Sequence, residues 1–313
     1  MKKLSLCLLL FARLLPAAED AGQPGAYLRA GVGARGAALG NAYAALAEGP
    51  DAVVWNPAAL ALSRRPGLGS TYNLLSLDRQ FSYAGLVLAW DPQKSAPVAP
   101  GSFPMALNRG LGAWGLGWLN FSLGNDFEGR SADTASYYSF SDRQSAYLLS
   151  HGRALLPWLA VGATLKLYER VLERFEARGQ GLDLGILMLL GPKVKIGITS
   201  SDLFGSLRWN TDFEDKFPAQ IRANIASIVW KDRLCFTGQV ESVEGRQVAM
   251  GIGVELKVFQ ALSGRVGWDK DGPTFGGGLG LDLAQIRGQV DYAFLPDPLK
   301  QGDAQRFSLE IYF

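Results

Sequence analysis

The sequence predicts an all-β protein, an antiparallel transmembrane β-barrel of about 14 strands preceded by a short N-terminal helical plug or lid segment. Three observations predict it: alternation of apolar and polar residues from Pro66 to the C-terminus, links that alternate between very short and long, and an export-like N-terminus. Bulk composition agrees. The 313 residues are 48% hydrophobic with a mean hydropathy of only +0.06, and no apolar run reaches the roughly 18 residues of a membrane helix. A barrel hides its apolar side chains at every second position, so it reads as mildly hydrophobic overall. The 38 glycines suit tight turns and a crowded interior.

Met1-Lys2-Lys3 is a basic start, Leu4 to Leu15 a short apolar stretch, and Pro16-Ala17-Ala18 a small-residue cleavage site, which together make a secretory leader over 1–18. Cleavage after Ala18 removes three of the 31 basic residues, leaving 28 against 29 acidic ones. The formal charge of +2 therefore belongs to the leader and gives no reason to expect nucleic acid as a partner. Cleavage also leaves Cys235 as the single cysteine, so no intramolecular disulfide forms despite export.

Residues 19–65 form the plug or lid region, and 66–313 the barrel. Ala26 to Arg65 is rich in Ala and Gly and lacks alternation; it reads as two short helices, Ala34–Ala47 and Asp51–Leu62, split by Glu48-Gly49-Pro50. Strands are expected near 66–76, 80–90, 113–123, 143–155, 157–171, 180–190, 192–200, 218–230, 233–242, 247–257, 260–269, 273–282, 285–295 and 305–313. In the last of them Phe307, Leu309, Ile311 and Phe313 share one face, opposite Arg306, Ser308 and Glu310.

Alternation alone fits a soluble sandwich as well as a membrane barrel. The links separate the two. Leu156-Pro157, Gly191-Pro192, Lys231-Asp232, Val258-Phe259 and Leu283-Ala284 are minimal turns, whereas Gly124–Asp142, Val171–Gly179, Ser201–Phe217, Val243–Arg246 and Pro296–Ala304 are longer. Short turns on one rim and long loops on the other describe an outer-membrane barrel, periplasmic and extracellular respectively. The C-terminus then lies at the periplasmic rim. The long link 91–112 departs from this scheme. Trp90, Trp158 and Trp230 fall at periplasmic strand ends as an interfacial girdle requires, although the parity of Trp158 and Trp230 matches the lumen face.

Catalytic chemistry finds little support. The single histidine, His151, rules out a multi-histidine metal site. Its neighbour Ser150 points to the opposite face of the strand, against a Ser-His nucleophile. Gly31–Gly36 and Phe275–Gly280 are glycine-rich but lack the strand–loop–helix context of a nucleotide site. The reading is of a non-enzyme without cofactor or metal.

One segment points to a family. Gly33-Ala34-Arg35-Gly36-Ala37-Ala38-Leu39-Gly40-Asn41-Ala42-Tyr43-Ala44-Ala45-Leu46-Ala47, followed by Asp51-Ala52-Val53-Val54-Trp55-Asn56-Pro57-Ala58-Ala59-Leu60, resembles the N-terminal signature of the PorV/PorQ family within the wider FadL-like group of outer-membrane barrels. Ala59 stands where the family pattern has Gly, and Glu48-Gly49-Pro50-Asp51 departs from its acidic turn. The resemblance implies a plug near the periplasmic mouth, with Gly33, Arg35, Leu39, Gly40, Tyr43, Trp55, Asn56 and Pro57 as its motif. It implies one of two functions. A PorV-type barrel assists protein export as a type IX secretion shuttle, with secreted proteins or secretion components as partners. A FadL-type barrel binds hydrophobic small molecules in its lumen and releases them through the wall. Both imply outer-membrane lipids and the barrel assembly machinery as partners. The sequence leans toward export. Tyr137, Tyr138, Phe204, Trp209 and Phe213, in the long loops, are the candidate outer binding surface. Phe307, Leu309, Ile311 and Phe313 are the candidate assembly signal.

Overall fold

A computed structural model describes residues 23–75, 79–89, 107, 110–123, 127–130, 137–283, 286–296 and 302–313, without the side chains of 127–130, 137–140 and 283. The leader 1–18, Trp90 and most of the 91–112 link lie outside these residues.

The strands are β1 (Gly67–Leu74), β2 (Arg79–Ala89), β3 (Ala113–Leu123), β4 (Phe127–Arg130), β5 (Tyr137–Phe140), β6 (Asp142–Leu156), β7 (Leu159–Leu172), β8 (Phe175–Leu190), β9 (Val194–Trp209), β10 (Glu214–Lys216), β11 (Gln220–Val229), β12 (Leu234–Val243), β13 (Ala249–Lys257), β14 (Leu262–Asp269), β15 (Gly272–Leu283), β16 (Ile286–Leu295) and β17 (Ala304–Tyr312). Each barrel strand pairs antiparallel with the next, β8 pairs with β9, and β17 pairs with β1, so the sheet closes into a 14-strand barrel. β4 and β5 form a separate hairpin, and β10 is a short return strand on β9.

Alternation does what the pattern predicts. Leu165 and Leu167 on β7, Leu184 and Ile186 on β8, and Val266 and Trp268 on β14 face outward. Thr164, Lys166, Asp183 and Arg265 on the same strands are buried inside. The link expected over Val171–Gly179 is instead the two residues Glu173-Arg174, because β7 and β8 continue past the apolar band. Their outward positions there become Glu169, Gln180 and Arg178. Strands β6 to β9 have 14 to 16 residues, more than the roughly 9–11 that cross a bilayer, so this wall rises beyond it.

The N-terminal segment is inside the barrel but less helical than predicted. Helices α1 (Ala26–Arg29), α2 (Ala34–Ala38) and α3 (Ala52–Trp55) alternate with 3-10 turns at Gly49–Asp51 and Pro57–Leu62. α2 stops well short of Ala47 because Gly40 and Asn41 take left-handed φ angles of 62° and 57°. α3 stops at Trp55 because Asn56, ahead of Pro57, is extended with φ −163°.

Trp158 and Trp230 sit in turns at the rim that carries the C-terminus, 46% and 62% exposed. Turn residues leave the strand alternation, so the lumen parity read for them does not apply.

Candidate functional site

The plugged lumen is the site. On the barrel side, glycines stand wherever the plug backbone comes close. A Cβ on Gly253 would lie 2.6 Å from the Leu39 carbonyl oxygen, and one on Gly197 would lie 2.7 Å from that of Ala44. Gly152 and Gly162 face Pro57 in the same way, and Gly185 faces Asn56. Gly152, Gly162, Gly185 and Gly197 lie toward one end of β6 to β9, which puts this part of the plug in the half of the lumen nearer the C-terminal rim.

Polar contacts then fix its register. The Asn56 amide, 0% exposed, donates to the carbonyls of Ala44 (3.0 Å) and Ile186 (3.1 Å), and its oxygen accepts from the Ala58 N–H at 3.1 Å. One side chain thus ties two plug segments to β8 and caps the turn that follows. The Trp55 Nε1 donates to Val32 O at 2.8 Å, and the ring packs edge-on to Tyr43 at 5.7 Å. The Arg222 guanidinium of β11 covers the Trp55 ring at 5.2 Å. Thr237 on β12 donates to Ala42 O (2.7 Å), and Asn224 on β11 accepts from Ala45 N (2.8 Å).

Arg35 is the strongest tie. Its Nε and Nη2 donate to the two oxygens of Glu255 on β13 at 2.8 and 3.0 Å, and its Nη1 reaches Glu48 of the plug at 2.6 Å. Glu255 also accepts from Arg265 Nε of β14 at 2.6 Å, and Arg265 Nη1 reaches Asp291 of β16 at 2.6 Å. This buried network spans three strands and both arms of the plug. In the 3-10 turn, the Asp51 carboxyl fills the space that a Cβ on Gly33 would need. Burial, with Asp291 nearby, pushes it up to about 7 against the pull of Arg306 and Arg35.

Toward the opposite rim an aromatic cluster sits among the ion pairs Arg170–Asp142 and Lys166–Asp202. Tyr27 and Leu28 of α1 are buried beside Phe121 of β3, which stacks on Tyr27 at 6.4 Å. Tyr168 of β7 and Phe217 lie 4.7 Å apart, and Phe217 also packs on Gly25. A cavity of about 290 Å³ opens near this level, lined by Asn41, Asp269, Thr274, Leu295 and Arg306 among others. Below α2, Glu255 and Arg265 border a space of only about 10 Å³.

The plug motif is therefore brought together: Gly33, Arg35, Leu39, Gly40, Tyr43, Trp55, Asn56 and Pro57 are all buried in the lumen. The candidate outer surface is not. Phe204 is on β9, 89% exposed and facing away from the lumen. Trp209 is on the same strand but turned inward, donating to Asp215 at 2.7 Å with Arg170 over its ring at 5.5 Å. Phe213 is exposed in the turn after β9. Tyr137 and Tyr138 lie on β5, where only the backbone is described. Phe307, Leu309 and Ile311 take the outward face of β17 and Phe313 follows it, exposed, leaving Arg306, Ser308 and Glu310 to the plug side. Ser150 and His151 lie on opposite faces of β6. Ser150 is buried against Thr164, whereas His151 packs outward on Trp114 at 4.5 Å.

Sequence reasoning missed the Tyr27–Phe217 cluster and the partners of Arg35. A signal existed for the latter, since Glu255 and Arg265 are mid-strand charges on the lumen parity and stand opposite each other in register.

No protein-family model matches the chain, and no curated protein is similar to it in sequence. Solved structures do match in fold. The Pseudomonas putida toluene transporter TodX aligns with a TM-score of 0.58 at 13% identity, over 90% of this chain and 97% of its own. A Pseudomonas aeruginosa FadL homologue aligns with a TM-score of 0.56 at 11% identity, over 90% of this chain and 98% of its own. The fold is that of FadL-family outer-membrane barrels. Neither comparison supports a PorV/PorQ assignment.

Proposed function

We propose that the protein is an outer-membrane channel of the FadL type, passing a small hydrophobic molecule through a barrel gated by its own N-terminal plug. One observation carries this reading. The plug is hydrogen-bonded into the lumen around most of the wall, and a packed aromatic cluster of Tyr27, Phe121, Tyr168 and Phe217 lies toward the opposite rim. A water-filled porin needs an open polar lumen. A plugged barrel with an aromatic cluster at its other end suits a solute that leaves water readily. The structural likeness to a toluene transporter and a FadL homologue supports this side of the resemblance over the export side. The short turns and the C-terminus then face the periplasm, and the aromatic cluster lies toward the outer face.

Proteoliposomes loaded with the purified protein test the reading by uptake of a labelled monoaromatic hydrocarbon and a labelled fatty acid against a labelled sugar. Faster entry of a hydrophobic probe than through protein-free liposomes, without faster sugar entry, is expected. Trp209→Ser, inside the mouth, lowers that uptake, whereas Phe204→Ser, on the outer wall, leaves it unchanged. Uptake no better than that of bare liposomes refutes the reading. Co-purification of secreted proteins with the native barrel instead favours export.

A further inference from the structure

We propose that the N-terminal segment has a second function, independent of transport: it staples the seam at which the barrel closes. A closed sheet must join its first strand to its last, here β1 to β17. On the outward face this seam has ordinary cross-strand pairs, Leu68 with Ile311, Ser70 with Leu309, and Tyr72 with Phe307. The inward pairs are Gly67 with Tyr312, Gly69 with Glu310, Thr71 with Ser308, and Asn73 with Arg306. Two of the β1 members are glycines, which bring no side chain to a cross-strand pair.

The plug supplies what is missing. Thr71 and Ser308 stand directly opposite each other, and their hydroxyls accept from two successive plug N–H groups, Gly33 at 3.0 Å and Ala34 at 3.0 Å. These are free donors at the start of α2, where the helix offers no partner of its own. One peptide step thus bridges both strands. Higher up, Arg306 Nε donates across the seam to Asn73 Oδ1 at 2.6 Å, while its Nη2 donates to Ala30 O at 3.1 Å. Lower down, a Cβ on Gly69 would lie 2.7 Å from Pro50, and the Tyr312 ring packs over both Gly67 and Gly49. Each inward rung is covered by plug residues 30–34 or 49–51 or by a side chain touching them. On the far wall Asn224 of β11 and Thr237 of β12 likewise hold Ala45 N and Ala42 O, but a four-residue turn already joins those strands, whereas β1 and β17 are distant in the chain. Closure of the barrel and seating of the plug are therefore one event.

Hydrogen exchange on the purified full-length barrel separates a staple from a mere stopper. The seam variant Thr71→Val with Ser308→Ala is compared with the far-wall variant Asn224→Leu with Thr237→Val. Loss of two buried acceptors predicts exchange of β1 and β17 amides at least about tenfold faster in the seam variant, with seam protection unchanged in the far-wall variant. Unchanged seam exchange in the first, or equal acceleration in both, overturns the proposal. Should the seam variant not assemble, adding Ser70→Cys and Leu309→Cys, an outward pair facing across the seam, restores heat-modifiable barrel under oxidising conditions. Failure of that cross-link to restore assembly overturns the proposal equally.

Discussion

Replacing Arg35 with Met removes the charge that ties the plug to the wall while keeping most of the side-chain length. Three charge-assisted hydrogen bonds disappear, two to Glu255 and one to Glu48. Glu48 is partly exposed, with side-chain accessibility of 24%, and recovers water. Glu255 keeps Arg265 at 2.6 Å but is otherwise sealed, at 2%. Breaking one partner of a buried ion pair costs about 3–5 kcal/mol, and the remaining Arg265 argues for the lower end, about 3 kcal/mol. That is about a hundredfold rise in the population of the undocked plug. Amide exchange of Gly36 to Leu39 reads the opening directly, and single-channel recording reads it as brief conducting events. Arg35→Lys keeps the charge but not the two-pronged geometry, so it falls between wild type and Arg35→Met. Exchange in Arg35→Met within about twofold of wild type would refute the idea that this network holds the plug.

Asp51 predicts a pH dependence of plug seating. Its carboxyl is raised by burial to about 7, above the ordinary carboxylate range, so the seated plug favours the protonated form. The stability it contributes is full below about pH 4 and is lost as pH rises through about 7. Protease resistance of the plug should accordingly fall between pH 5 and pH 8 in the wild type and lose most of that slope in Asp51→Asn; equal slopes would remove Asp51 from the account. Gly185→Ala places a methyl group on the Asn56 oxygen and 3.0 Å from Pro57 Cδ, whereas Gly264→Ala meets nothing within 4 Å. The first should destabilise the barrel by about 1–3 kcal/mol and the second by less than about 1, read as shifts of thermal unfolding on heat-modifiability gels.

Much of this protein is legible one residue at a time. Period-2 alternation is a local property, so the strands, the closed antiparallel class and the outward face of Phe307 to Ile311 follow from the sequence. Asn56-Pro57 and the run from Gly33 to Ala47 suggest a plug through their resemblance to a family signature. Element lengths are less local. Ala34–Ala47 looks helical until Gly40 and Asn41 are turned left-handed between the Trp268 and Ile252 carbonyls. Nor does the sequence set how far a wall rises beyond the bilayer: once β9 runs on to Trp209, Phe204 and Trp209 are an odd number of residues apart on one strand and face opposite ways. The site is the least local part. Arg35, Glu48, Glu255, Arg265 and Asp291 come from distant segments and meet only when the sheet closes. The glycines inside the barrel show where side chains are missing; only the folded plug shows what fills the space. Sequence decided that there would be a barrel and a plug. Tertiary structure decided how they hold each other, because contacts between strands and plug depend on register and shear, which no single segment encodes.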